Sequence, residues 1–466
     1  MTFLRGKIWI PRAAFAVLLL CALASLASAQ PKTPVIIIPG LSGSELRNPQ
    51  TKERIWFNAL RPKSGRIQLP LQADPTVMHD DLVANDIVRS IKFGPVPYDV
   101  YGGFLKALTT RGGYHEENWD TPSVKGGDGA IYVFAYDWRL DNVGNARLLI
   151  RKIDDLRKRL GQPGLKFNIV AHSMGGFIAR YAAMYGDTDL PPPGQKPRPT
   201  WVGERYFDHI VLMGTPNEGA MNAFVSFING FSFKGWRIDL PIFQDSSKFM
   251  VFSIPTAYQM LPAPGTLRAF DDHLQPMALD LYDPATWRKY GWDIISDPNF
   301  VDHFSASDRR VAQTFFAAAL DRARRLHEAL AAADGEAKGI DIYPVGTDCR
   351  KETTDGVVLY LDDSGHWKTH FRPSGFTRAD GTRVSDAAVR NVVVSPGDGV
   401  VPFHSLNASI ESQHAGVASI FAGQPAENIC EEHNTQATNS KIQDYVIKVL
   451  SGAVLARQAR STTVAP

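Results

Sequence analysis

The sequence predicts an α/β chain: a mostly parallel sheet with helices on both faces and a large cap insertion. Three observations point to it. Short, near-continuous apolar runs rich in β-branched residues recur along the chain, and segments with apolar residues three to four apart lie between them. One long central segment breaks that alternation.

The runs are PVIIIPG (Pro34–Gly40), AIYVFAYDW (Ala130–Trp138), KFNIVAH (Lys166–His172), DHIVLMG (Asp208–Gly214), GIDIYPVG (Gly339–Gly346) and NVVVSPG (Asn391–Gly397). A strand covered on both faces has no polar side to alternate with, so such runs read as buried parallel strands. Helical spacing follows Asn142, through Leu149, Ile153, Leu156 and Leu160 to a stop at Gly161. It returns after Ser173, through Phe177, Ile178, Tyr181, Ala182 and Tyr185 to Gly186, and again at Ile442, Tyr445, Val446 and Val449. Strand–helix alternation implies right-handed crossovers and a parallel sheet. DLPPPGQKPRPT (Asp189–Thr200) reads as a Pro-rich surface loop, and Asp355–Arg372 as a hairpin turning at Ser-Gly. From about Ala220 to Gly335 runs an aromatic insertion, including FVSFINGFSFKGW and VFSIPTAYQMLP, that ends in an amphipathic helix with Val311, Phe315, Leu326 and Leu330.

The N-terminus reads as a targeting segment. Arg5, Lys7 and Arg12 precede an apolar stretch, Ala13–Leu26, and Ala27–Ala29 supplies small residues for cleavage. The expected plan is a signal peptide (1–29), a first core part (30–219), a cap (220–335) and a second core part (336–466), in an exported protein. Removing the leader's three basic residues takes the formal charge from +2 to −1, and no basic stretch offers nucleic acid a footing. Cys349 and Cys430 remain, and in an exported chain they are expected to pair, with two buried free thiols as the alternative. No CxxC, HExxH or clustered histidines call for a metal.

AHSMGG (Ala171–Gly176) sits between a strand run and a helix run. A serine on such a sharp turn projects its Oγ above the sheet, and the crowded backbone admits only small residues two positions away; Ala171 and Gly175 comply. Ser173 is therefore the expected nucleophile, with the Met174 N–H at a helix N-terminus facing a developing oxyanion. The Leu41 N–H, past Pro39–Gly40, is the expected second donor. A serine nucleophile needs a base and an orienting acid, following it in the order acid, then histidine. Asp398, in a Gly-flanked turn after a strand, is the expected acid, with Asp355 and Asp348 as alternatives; His433, in a polar loop before the last helix, is the expected base, with His404 and His414 competing.

These segments resemble the lecithin:cholesterol acyltransferase family, which includes the lysosomal phospholipase and the phospholipid:diacylglycerol acyltransferases. The resemblance is carried by PVIIIPGLSGSEL, RIWFN, AYDWRL (Ala135–Leu140), AHSMGG, GTPNEGA, SIPTAYQMLP, GDGVVP and EEHN, in that order. It implies an α/β-hydrolase fold, acyl transfer on lipid esters without a cofactor, Ser173, Asp398 and His433 as a triad, and Leu41 and Met174 as oxyanion donors. Ala171 departs from the glycine common in the eukaryotic members, the insertion matches only in patches, and no cysteine lies between Gln30 and Asp348 to form the animal enzymes' small N-terminal loop. Asp137 and Arg139 read as a buried structural pair under the site. The expected partner is a lipid ester at a membrane surface, with water or an alcohol as acceptor. A non-catalytic lipid-binding protein and an esterase for a non-lipid polymer are the competing readings.

Overall fold

The computed structural model describes residues 31–57, 67–92, 97–230, 247–332, 339–408 and 426–454. The signal-peptide expectation lies outside them, as do His414 and the Phe231–Trp236 end of the aromatic stretch. Seven strands form the central sheet: β1 (Val35–Ile38), β2 (His115–Glu116), β3 (Ala130–Val133), β4 (Phe167–His172), β5 (Phe207–Met213), β6 (Asp341–Gly346) and β7 (Glu427–Asn428). Their order is β7-β6-β5-β4-β1-β3-β2, and every neighbouring pair is parallel.

Both faces are covered, which explains the continuous apolar runs. Val35, Ile37, Ile131, Val170, Val211 and Val345 point to a core shared with α1 (Gly102–Thr110) and the C-terminal Ser440–Leu450 helix. Ile36, Ile38, Tyr132, Ile169, Ala171, Ile210 and Leu212 point the other way, onto α2 (Asn142–Leu160), α3 (Gly175–Tyr185) and the insertion. Alternation across a strand thus divides one apolar run between two cores. Helix α2 is capped by the Asp141 carboxylate, which accepts from Gly144 N–H at 2.9 Å, and stops at Gly161 with φ 65°.

The insertion contributes α4 (Met221–Asn229) and the long α5 (Ala306–Leu330), whose Phe315, Phe316, Leu326 and Leu330 join the α3 side of the core. The expected hairpin is present: Gly356–Leu361 pairs antiparallel with Trp367–His370. Its other edge pairs with Arg268–Phe270 of the insertion, so one four-stranded sheet joins the insertion to the segment after it. The Asn391–Gly397 run is a correction. Only Val394–Gly397 is extended, and it pairs antiparallel with Arg350–Thr354, outside the central sheet. The residues before it close a helix, Asp386–Val393, that is capped by Ser385 and buries Val389 and Val393 four apart, so packing overrode the β-branched preference. Among the described residues no helix is long and apolar enough to cross a membrane.

Candidate active site

The site sits at the carboxyl ends of the central strands, where open parallel sheets leave a crevice. Strand β4 ends at His172 and α3 begins at Gly175, so the chain reverses in two residues. Ser173 takes that reversal with φ 53°, in the left-handed region, at a cost of roughly 1–3 kcal/mol that the surrounding structure must offset. Its N–H donates to the Met213 carbonyl at 2.8 Å, which pins the turn to β5. A Cβ on Gly175 would lie 2.6 Å from the Pro39 carbonyl oxygen and 2.8 Å from that of Ile38. The small residues flanking the serine are therefore a steric requirement of β1 passing underneath.

His433 and Asp398 meet at Ser173. His433 Nε2 lies 2.9 Å from Ser173 Oγ, and His433 Nδ1 lies 2.7 Å from Asp398 Oδ2. Ser173 and His433 are each 6% exposed and Asp398 is 2% exposed. Asp398 Oδ1 accepts from the Val400 and Val401 N–H groups at 3.0 and 2.7 Å, and Oδ2 also accepts from Gln436 Nε2 at 2.9 Å. Four donors thus converge on one buried carboxylate, which fixes its plane and holds it on the imidazole. The alternatives are engaged elsewhere. Asp355 binds His404 at 2.9 Å and Arg268 at 2.5 Å, and Asp348 accepts from Asn428 Nδ2 at 2.7 Å.

Among the described residues, neither the Leu41 nor the Met174 N–H has an acceptor within the chain. Met174 precedes α3, whose N-terminal dipole end favours negative charge. The loop bearing Leu41 is held from three sides: Tyr136 O–H donates to the Pro39 carbonyl at 2.8 Å, Trp56 Nε1–H to that of Ser42 at 2.8 Å, and Gly43 N–H to that of Gly40 at 3.0 Å. A Cβ on Gly40 would lie 2.9 Å from Ser173 Cβ, so only glycine lets this loop close on Ser173.

Sequence reasoning missed several residues around this centre. Gln436 bonds to Asp398, Tyr101 to Gly40 and His172 to the His433 carbonyl, and Trp56 and Tyr136 shape the Leu41 loop. Only His172 carried a signal, its place beside the serine. Burial, with the neighbouring His433, holds the His172 imidazole down to about 3. Arg139 is fully buried and pairs with Asp137 at 2.7 Å and with Asp80 at 2.6 Å, a structural cluster as expected, with Asp80 unforeseen. Cys349 and Cys430 form a disulfide. A cleft of about 640 Å³ adjoins the His433–Asp398 pair, lined also by Arg350, Val400, Asn434 and that disulfide. No group of three His, Cys, Asp or Glu among the described residues could hold a metal ion.

The chain is similar to known proteins in part of its sequence and in its fold. Uncharacterized protein YJR098C of Saccharomyces cerevisiae is 29% identical over 153 residues, 31% of this chain; the chain spans only 20% of that relative's length. In three dimensions the chain is similar to a chain of the crystallised Tle4-Tli4 complex, with a TM-score of 0.50 and 16% identity, over 90% of this chain and 98% of that one. At that identity the likeness concerns the fold, which is that of the α/β-hydrolases. Residues 127–289 match the model for lecithin:cholesterol acyltransferase, and they include the Tyr136–Arg139 cluster, the Ser173 turn and the Thr215–Ala220 loop. That match, over about a third of the chain, makes this segment similar to the lecithin:cholesterol acyltransferase family.

Proposed function

We propose that the protein is an exported serine-dependent lipid acyl hydrolase or O-acyltransferase, with Ser173 as nucleophile, His433 as general base and acid, and Asp398 as the group that orients the imidazole. The observation that carries this reading is the unbroken series Asp398 Oδ2, His433 Nδ1, His433 Nε2, Ser173 Oγ, with contacts of 2.7 and 2.9 Å. The family match supports a lipid ester as substrate. The paired cysteines and the basic-then-apolar leader support export.

In this mechanism His433 Nε2 takes the Ser173 proton as Oγ bonds to the ester carbonyl carbon. The carbonyl oxygen becomes an oxyanion against the Leu41 and Met174 N–H groups, preorganised donors that meet charge as it develops. His433 then gives its proton to the departing alkoxy oxygen as the C–O bond breaks, leaving an acyl-serine and a free alcohol. Water or a second alcohol gives a proton to His433 and attacks the acyl carbon. The same proton returns to Ser173 Oγ as that bond breaks.

The test is a panel of phospholipids, triacylglycerols and short p-nitrophenyl esters, with and without a sterol or diacylglycerol acceptor, run on the protein and on Ser173→Ala. Acyl release or transfer that Ser173→Ala loses by about 10⁴-fold or more is the expected result. Near-normal ester turnover in the Ser173→Ala variant overturns it. Lipid binding without turnover on any ester would favour a non-catalytic carrier, and turnover of polymer esters alone a depolymerase.

A further inference from the structure

We infer that Tyr101 and His172 are positioning residues that tie the oxyanion loop to the His433 loop through the nucleophile turn. The inference deepens the reaction proposed above and rests on it. Three hydrogen bonds run head to tail. Gly40 N–H donates to Tyr101 Oη at 3.0 Å, Tyr101 Oη lies 2.7 Å from His172 Nδ1, and His172 Nε2 lies 3.2 Å from the His433 carbonyl oxygen.

Only one assignment of protons serves all three. A carbonyl oxygen accepts, so His172 Nε2 carries the hydrogen; in a neutral imidazole Nδ1 is then the acceptor. Tyr101 therefore donates to Nδ1, and its oxygen is left to accept from Gly40. Burial disfavours a charged His172, and its two hydrogen-bond partners select this tautomer of the neutral ring. The ring must stay neutral, because the His172 and His433 rings are 5.1 Å apart, and His433 becomes a cation during each acyl transfer. A second cation there would oppose the first and would leave Tyr101 with no acceptor.

The connected segments come from distant parts of the chain. Gly40 follows β1, Tyr101 precedes α1, His172 ends β4, and His433 lies beyond β7. Tyr101 is 3% exposed and His172 is 9% exposed, so water is a poor substitute for these bonds. Neither side chain bonds to Ser173 Oγ or to the His433 imidazole. They act one residue away, on the peptide before the Leu41 amide and on the backbone that carries the His433 ring. A purely structural role would lower stability and leave the turnover of folded molecules unchanged. A positioning role lowers kcat at constant KM, because misplacement of reacting groups by about 1 Å costs about 100-fold.

Tyr101→Phe removes only the hydroxyl, and with it two of the three bonds. His172→Phe removes two bonds while filling the space, and His172→Gln restores an N–H toward the His433 carbonyl. Expected are falls in kcat of roughly 10–100-fold for Tyr101→Phe and His172→Phe, KM within about twofold, and part of the loss recovered in His172→Gln. Fluorophosphonate labelling of Ser173 should slow in proportion, and the low-field proton resonance of the His433–Asp398 bond should shift or broaden. Unchanged kcat in folded Tyr101→Phe, with Ser173→Ala inactive, overturns the relay and leaves the triad standing. An active Ser173→Ala variant overturns the triad and the relay together.

Discussion

His433 is joined to Asp398 twice. Its peptide N–H donates to the Asp398 carbonyl at 3.0 Å, while its imidazole Nδ1 faces the Asp398 carboxylate at 2.7 Å. The backbone bond sets the distance between the two loops, and the side-chain bond sets the tautomer. An Asp398→Asn variant separates these roles, since the backbone bond does not depend on the side chain. The variant should fold, keep its melting temperature within a few degrees, and lose about 10⁴-fold in kcat. A loss below tenfold on matched lipid and p-nitrophenyl esters would move the orienting role to another carboxylate.

Gly175→Ala tests the turn itself. The added methyl would meet the Pro39 and Ile38 carbonyls at 2.6 and 2.8 Å, and these are backbone atoms with no rotamer to yield. Relief requires β1 or the turn to move, at a cost of about 1–3 kcal/mol. Movement of either also separates Ser173 from the Leu41 amide. Stability measured in urea and fluorophosphonate labelling rate should fall together; full labelling speed in a destabilised variant would show that the turn tolerates displacement.

Much of this arrangement is legible in the sequence. Strands such as Val35–Ile38 and Phe167–His172 announce themselves because burial on both faces forbids polar positions, and α2 is bounded by a visible Asp cap and Gly stop. Ser173, Asp398 and His433 were legible because a turn, a strand end and a pre-helix loop each leave local marks. Tyr101 was not, since it lies 71 residues from His172 and its neighbours Phe104, Leu105 and Leu108 read simply as core. Asp80 was hidden in the same way, 59 residues before the Arg139 it binds. Asn391–Gly397 misled because Val392 and Val393 favour a strand locally, while the Ser385 cap and the buried Val389–Val393 stripe commit them to a helix.

The Cys349–Cys430 bond should matter to stability and catalysis alike. Cys349 follows β6, and Cys430 lies between β7 and His433, so the bond fastens the His433 loop to the sheet. It closes a loop with a sequence separation of 81, for which chain entropy alone gives about 4.5 kcal/mol. A double Cys→Ser variant should lose about 2–4 kcal/mol in denaturant unfolding and show a lower kcat even where it is fully folded. Equal kcat for the oxidised protein and the folded double variant would confine the bond to stability.

His404 gives the fold a pH dependence outside the reaction. Burial opposes its protonation, but hydrogen bonds to Asp355 at 2.9 Å and the charge of Glu218 outweigh this and push the imidazole up to about 9. Arg268 completes the cluster on Asp355, so the charged imidazole links Phe403–Asn407 to the start of the Gly356–Leu361 strand. Because the folded value exceeds the ordinary 6.5, the stabilisation is complete below that pH and is lost as pH rises through about 9. Melting temperature should therefore fall from about pH 7 to about pH 10 more steeply in the parent protein than in His404→Gln, which has no proton to lose there. Parallel curves for the two proteins across that range would mean that His404 does not carry the charge this cluster is built to hold.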